Sequence, residues 1–199
     1  QDGAEQPAGA LDRTHNKDDV DASDPPHNLL PGANGTVFAV AIQPGDQTVV
    51  AGSFTAFNTT PRNRIARMSA NGQLDTSFNP GSGANDFISA LALQGDGRII
   101  VGGDFTSYNG AARPRVARIN ANGTLDNTFN PGFGADATVW PAAVQPDGKI
   151  LIAGEFTTTD VFTRHFIARL ETNGVVDATF DPGDGPNGAI FAMVLQQDG

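Results

Sequence analysis

The chain has 199 residues, with 24 glycines, 13 prolines, no cysteine and a formal net charge of −10. That length supplies one core of ordinary size. The charge argues against nucleic acid or anionic lipid as a main partner, and the lack of cysteine removes disulfides, thiolate metal sites and cysteine nucleophiles. No apolar run approaches the ~20 residues that span a bilayer, so no membrane span is expected.

Residues 1 to 30 hold seven acids, Asp2, Glu5, Asp12, Asp18, Asp19, Asp21 and Asp24, against Arg13 and Lys17. So polar a segment cannot form a core alone. Residues 9 to 16 nevertheless match residues 123 to 130, which predicts the last strand of a partial unit, and residues 17 to 30 read as a linker. The first residues carry neither the basic nor the apolar region of a signal peptide, a pattern also compatible with a processed secreted chain.

From residue 31 the chain repeats itself. Phe54, Phe105 and Phe156 stand 51 residues apart, as do Asp75, Asp126 and Asp177, and Gln43, Gln94, Gln145 and Gln196. Three units result, at residues 31 to 79, 80 to 130 and 131 to 181, and residues 182 to 199 begin a fourth with its first strand. The predicted fold is all-β, a tandem array of four-stranded antiparallel repeats. In the first unit the strands are expected at residues 36 to 43, 48 to 54, 64 to 69 and 74 to 78. The turn after the first strand is Pro44-Gly45-Asp46, replaced by Gly95-Asp96-Gly97 and Pro146-Asp147-Gly148 in the next units. Gly52, Gly103 and Gly154, each two residues before a periodic Phe, predict a bulge or a close backbone approach. Asn71-Gly72, Asn122-Gly123 and Asn173-Gly174 predict hairpin turns with positive φ at both residues. The stretches from Thr55, Thr106 and Thr157 to Arg62, Arg113 and Arg164 read as variable loops.

The run Asn-Gly-x-x-Asp-x-x-Phe-x-Pro-Gly-x-Gly at residues 71 to 83, 122 to 134 and 173 to 185 resembles the delta-60 repeat, a β-propeller-type repeat of unknown function. Ala66-Arg67-Met68, Ala117-Arg118-Ile119 and Ala168-Arg169-Leu170 fit the same pattern. The resemblance implies blades of a propeller, found mainly in large bacterial secreted or surface proteins, and it brings no catalytic residues. A propeller closes with roughly four to eight blades. Three units and two partial ends therefore predict blades that are open or completed by other chains.

Asp75, Asp126 and Asp177 are candidate calcium ligands by their periodicity, yet none has another acid beside it, whereas calcium takes about six to eight oxygens. Pairing with the equally periodic Arg67, Arg118 and Arg169 is the simpler use. Phe54, Phe105 and Phe156, with Phe78, Phe129 and Phe180, are expected to bury sheet faces against neighbouring units. His15, His27 and His165 fall at unrelated places in the repeat, which removes a zinc spacing. No Gly-x-Ser-x-Gly elbow occurs, and Pro80-Gly81-Ser82-Gly83 lacks the lysine and helix of a phosphate loop. Tyr108 and Trp140 are the candidate ligand surface, through sugar stacking.

The expectation is a non-enzymatic extracellular or cell-surface structural and interaction module without cofactor, with calcium as an alternative. It would associate with copies of itself or with neighbouring repeats through open strand edges, head to tail into a filament or ring. The alternative reading is a propeller that binds or processes glycans on its loops and exposed aromatics.

Overall fold

The computed structural model describes residues 32 to 196. The strand expected at residues 9 to 16 and the linker after it lie outside that range.

Unit 1 comprises β1 (Val37–Ile42), β2 (Thr48–Gly52), β3 (Ala56–Phe57), β4 (Thr60–Pro61) and β5 (Ile65–Met68). Unit 2 repeats these as β6 (Ile88–Leu93), β7 (Ile99–Gly103), β8 (Ser107–Tyr108), β9 (Ala111–Ala112) and β10 (Val116–Ile119). Unit 3 has β11 (Val139–Val144), β12 (Ile150–Gly154), β13 (Thr158–Thr159), β14 (Phe162–Thr163) and β15 (Ile167–Leu170). The long strands form three antiparallel sheets in the orders β1-β2-β5, β6-β7-β10 and β11-β12-β15, and each two-residue pair forms a small hairpin of its own. The loop expected after the second strand therefore carries a hairpin.

The fourth strand expected in each unit shrinks to one bridge, Met68 with Leu74, Ile119 with Leu125 and Leu170 with Val176. Its continuation is diverted by the periodic aspartate. Asp75 Oδ1 accepts the Ser77 N–H at 2.8 Å and the Phe78 N–H turns back to the Asp75 carbonyl, a local side-chain turn that competes with ladder pairing. The third strand starts one residue later than expected because Arg64, Arg115 and Phe166 take positive φ of 69°, 65° and 65°.

The second-strand glycines have the reason anticipated for them. A Cβ on Gly52, Gly103 or Gly154 would collide with the carbonyl of Thr36, Phe87 or Thr138, at the place where the first strand bulges. The Asn-Gly turns differ from expectation. Only the glycines, Gly72, Gly123 and Gly174, have positive φ, and each closes a turn as its fourth residue, with the Gly72 N–H bonded to the Ser69 carbonyl at 2.8 Å.

Among the described residues two core clusters join neighbouring units, whereas a third, of Val50, Phe54, Phe57 and Ala66, lies within unit 1, so Phe54 packs on its own unit where burial against a neighbour was expected. One cluster joins Val49, Ala51, Ile65 and Phe78 of unit 1 to Ile88, Val101 and Phe105 of unit 2. A second joins Ile100, Val116 and Phe129 of unit 2 to Val139, Ile152 and Phe156 of unit 3. Each sheet thus buries its apolar face against its neighbour, as repeat architectures require. At the far end, residues 188 to 196 form no strand, although a first strand was expected there. A first strand pairs with the second strand of its own unit, and no such partner lies among the described residues.

Candidate functional site

The periodic polar residues converge on the junction between units. Arg67 Nε donates to Asp75 Oδ2 at 2.8 Å, Arg118 Nε to Asp126 at 2.7 Å and Arg169 Nε to Asp177 at 2.8 Å. The same guanidiniums lie 5.0, 5.0 and 4.9 Å from the ring centres of Phe78, Phe129 and Phe180, within cation–π range. Arg67 then crosses to the next unit, with Nη1 donating to the Ala121 carbonyl at 2.6 Å, and Arg118 does the same to Thr172 at 2.6 Å. The outer side of Phe78 is closed by Gly123, where a Cβ would come within 3.0 Å of the ring, and that of Phe129 by Gly174 at the same distance. Backbone bonds from Asn79 to Asn122 and from Asn130 to Asn173 complete the junction. The ring, the cation, the acid and the next Asn-Gly turn form one latch, used twice. Phe180 has its arginine but no following turn among the described residues, and it is only partly buried.

A second donor to each aspartate escaped the sequence reading. Gln47, Arg98 and Lys149 occupy one repeat position and reach Asp75, Asp126 and Asp177 at 3.4, 3.0 and 2.7 Å. The three residues share no side-chain chemistry beyond an N–H donor, so the position looked variable. Burial alone would push the Asp126 carboxyl up. The hydroxyl and N–H of Thr128, then Arg98 and Arg118, outweigh it and hold the group well below the usual carboxylate range. Asp75 is lowered in the same way, burial being opposed by Ser77 and Arg67. At Asp177 the largest cause is the Lys149 ammonium, followed by Thr179, with Arg169 a smaller contribution.

This arrangement leaves the acids little to do as ligands. Both oxygens of each periodic carboxylate already accept hydrogen bonds from their own unit. Among the described residues no group of three or more His, Asp or Glu could hold a metal ion. No helix among them is long and apolar enough to cross a membrane.

The two candidate ligand aromatics part company. Tyr108 is fully buried, its hydroxyl donating to the Gly123 carbonyl at 3.1 Å and pushed above its ordinary pKa by burial. It offers no ring face to a sugar, which corrects the expectation. Burial follows because the tyrosine sits in a hairpin strand packed into the shared core, whereas a variable loop was expected. Trp140 instead belongs to a row of rings across the first strands. Phe38 and Phe87 lie 5.5 Å apart, Phe87 and Trp140 stack at 5.6 Å, and Trp140 and Phe191 lie 5.8 Å apart. Phe38, Trp140 and Phe191 share one repeat position, where unit 2 has Ser89. Phe87, two residues earlier, fills that gap, while Ser89 Oγ donates to the Val139 carbonyl at 2.5 Å. The row borders a groove of about 340 Å³ lined by Phe38, Ser89, Trp140 and Met193.

Comparison with known proteins agrees with this geometry. Residues 43–78, 94–129 and 145–180 match the family described as a domain of unknown function (DUF5122) beta-propeller, together more than half of the chain. Among solved structures, the WD40 beta propeller domain of Doa1 is similar with a TM-score of 0.51 at 19% identity. The match covers 74% of this chain and 41% of that one, and it is a likeness of fold alone. No curated protein matches. The three matched segments, each carrying the second and third long strands of one sheet with its Arg–Asp pair and periodic Phe, cover more than half of the chain and place it in the DUF5122 β-propeller family, whose function is unknown.

Proposed function

We propose that the chain is a non-enzymatic interaction module of the delta-60 repeat type, working outside the cell or at its surface, whose blades associate head to tail with the blades of further copies. The observation that carries this reading is the face of β1. Val37, Phe38, Val40 and Ile42 are 39, 46, 59 and 66% exposed, although the counterparts of Val37, Val40 and Ile42 in β6 and β11 pack into the clusters shared with the preceding unit. Leu91 and Leu93, which correspond to Val40 and Ile42, pack on the cluster that contains Val49, Ile65 and Phe78. Neighbouring exposed apolar side chains of this kind mark interaction surfaces. Light scattering with electron microscopy on the 199-residue chain tests the reading. Regular rings or filaments are expected, and a monomer at all concentrations would refute it.

The ring row supports a second reading, a glycan-binding surface, because Phe38 and Phe191 stay exposed at its two ends. A glycan array separates the two. Specific binding lost in Trp140→Ala would favour the second, and a blank array would remove it.

A further inference from the structure

The junction between units 1 and 2 and the junction between units 2 and 3 use the same repeat positions but close differently. In the first, Gln43 is buried and bridges the units: its Oε1 accepts the Arg67 Nη1–H at 3.1 Å, and its Nε2 donates to the Gly97 carbonyl at 3.4 Å. In the second, the counterparts are Gln94, Arg118 and Gly148. Arg118 keeps its bond to the next unit, with Nη1 on the Thr172 carbonyl, yet the glutamine bond is not made. Gln94 Oε1, shielded from solvent, has no hydrogen-bond partner among the described residues. A pocket of about 570 Å³ lies there, with Gln94, Arg118, Thr128 and Gly148 in its wall, against about 310 Å³ for the space beside Gln43. That volume falls in the ~300–1,000 Å³ range of small-molecule sites. A buried acceptor left unpaired carries a desolvation cost that a bound hydroxyl removes.

We infer that the pocket between units 2 and 3 binds a neutral polyhydroxyl molecule, a mono- or disaccharide. Gln43 and Arg67 show that this amide oxygen and this guanidinium meet directly when the junction closes on itself. Where they do not meet, one atom that accepts from Arg118 Nη1 and donates to Gln94 Oε1 satisfies both, and a hydroxyl oxygen is such an atom. A carboxylate offers Gln94 no proton, and an ammonium offers Arg118 no lone pair. The charges agree with a neutral ligand. Arg98 and Arg118 are already matched by Asp96 and Asp126 at 2.6 to 3.0 Å, so these four groups cancel. Val144 and Pro146, also in the wall, give apolar surface for the C–H side of a sugar ring. The pocket shares no lining residue with the groove beside the ring row, and the inference rests neither on that row nor on association between copies.

The test titrates the full chain, isotope-labelled in nitrogen for NMR, with glucose, galactose, mannose and maltose, and separately with acetate, at up to tens of millimolar. At least one neutral sugar is expected to shift the Gln94 side-chain amide and the Gly148 backbone amide while the Gln43 side chain stays unmoved. Gln94→Leu is expected to weaken that sugar about tenfold, the effect of one hydrogen bond. Trp140→Ala is expected to leave the affinity unchanged, which separates this site from glycan binding on the ring row. No shift at Gln94 with any of the sugars would mean that water alone fills the pocket and would overturn the site. Shifts confined to Phe87, Trp140 and their neighbours would overturn it in favour of the ring row. Equal affinity in Gln94→Leu would also overturn it, and acetate shifting the same amides as strongly would overturn the ligand class. If Gln94→Leu fails to fold, the titration of the parent chain still decides, through Gln94 against Gln43.

Discussion

Replacing Phe129 and Phe180 by alanine separately compares one repeat position in two settings. Phe129 is fully buried between the Arg118 guanidinium and the Gly174 turn, whereas Phe180 keeps its arginine but has no such turn against it among the described residues. A buried phenylalanine ring removes at least ~150 Å² from water, and at ~25 cal/mol per Å² that contributes about 4 kcal/mol. Loss of the cation–π contact adds a further ~0.5–1 kcal/mol, common to both positions. Phe129→Ala should therefore cost about 4.5–5 kcal/mol, and Phe180→Ala about 2.5–3 kcal/mol, because its ring is already partly in water. Urea denaturation followed by Trp140 fluorescence measures both. Equal losses at the two positions would show that the next unit's turn contributes nothing to the latch. A loss below about 1 kcal/mol at Phe129 would remove packing between units as the source of stability.

The periodic aspartates predict an acid-sensitive fold. Their folded pKa values lie below the unfolded value near 3.9, so their contribution is complete above about pH 5 and is lost as pH falls through the folded pKa. The melting temperature should be flat from pH 7 to about 5 and drop below about 4, with a shallower drop in Asp126→Asn. At neutral pH Asp126→Asn should cost about 3 kcal/mol, because the nearly buried Arg118 loses its counter-charge, and Arg118→Met with Asp126→Asn should recover part of that loss. Gly103→Ala should destabilise by more than about 2 kcal/mol through collision with the Phe87 carbonyl, while Gly95→Ala, with open space around it, should stay within about 0.5 kcal/mol. Chelator should leave the melting curve unchanged, since the periodic carboxylates are committed to arginine, lysine and backbone donors; a rise with calcium alone would contradict that assignment.

The repeat was legible because its marks are local and periodic. Gly52 with its copies, the turn glycines and the Arg67-to-Asp75 spacing each answer to one physical demand, so their meaning survives without coordinates. The fourth strand was misread because Leu74 to Phe78 carries apolar residues at strand spacing, while the Asp75 side chain diverts the backbone. Positive φ at Arg64, Arg115 and Phe166 left no mark, since no glycine stands there. Gln47, Arg98 and Lys149 hid behind unlike side chains that perform one task. Phe87 hid for a different reason: it completes the ring row from outside the repeat register, and only the fold brings it beside Trp140.

Head-to-tail contact between copies is tested most directly by chemistry at the interface itself. Single variants Val37→Cys and Ala153→Cys, mixed and oxidised, place one thiol on the β1 face and the other where that face would land, at the spacing set by Val139 and Gly102. A disulfide-linked heterodimer that forms in the mixture and in neither variant alone is the predicted result. No more cross-linking in the mixture than in the separate variants would contradict the account.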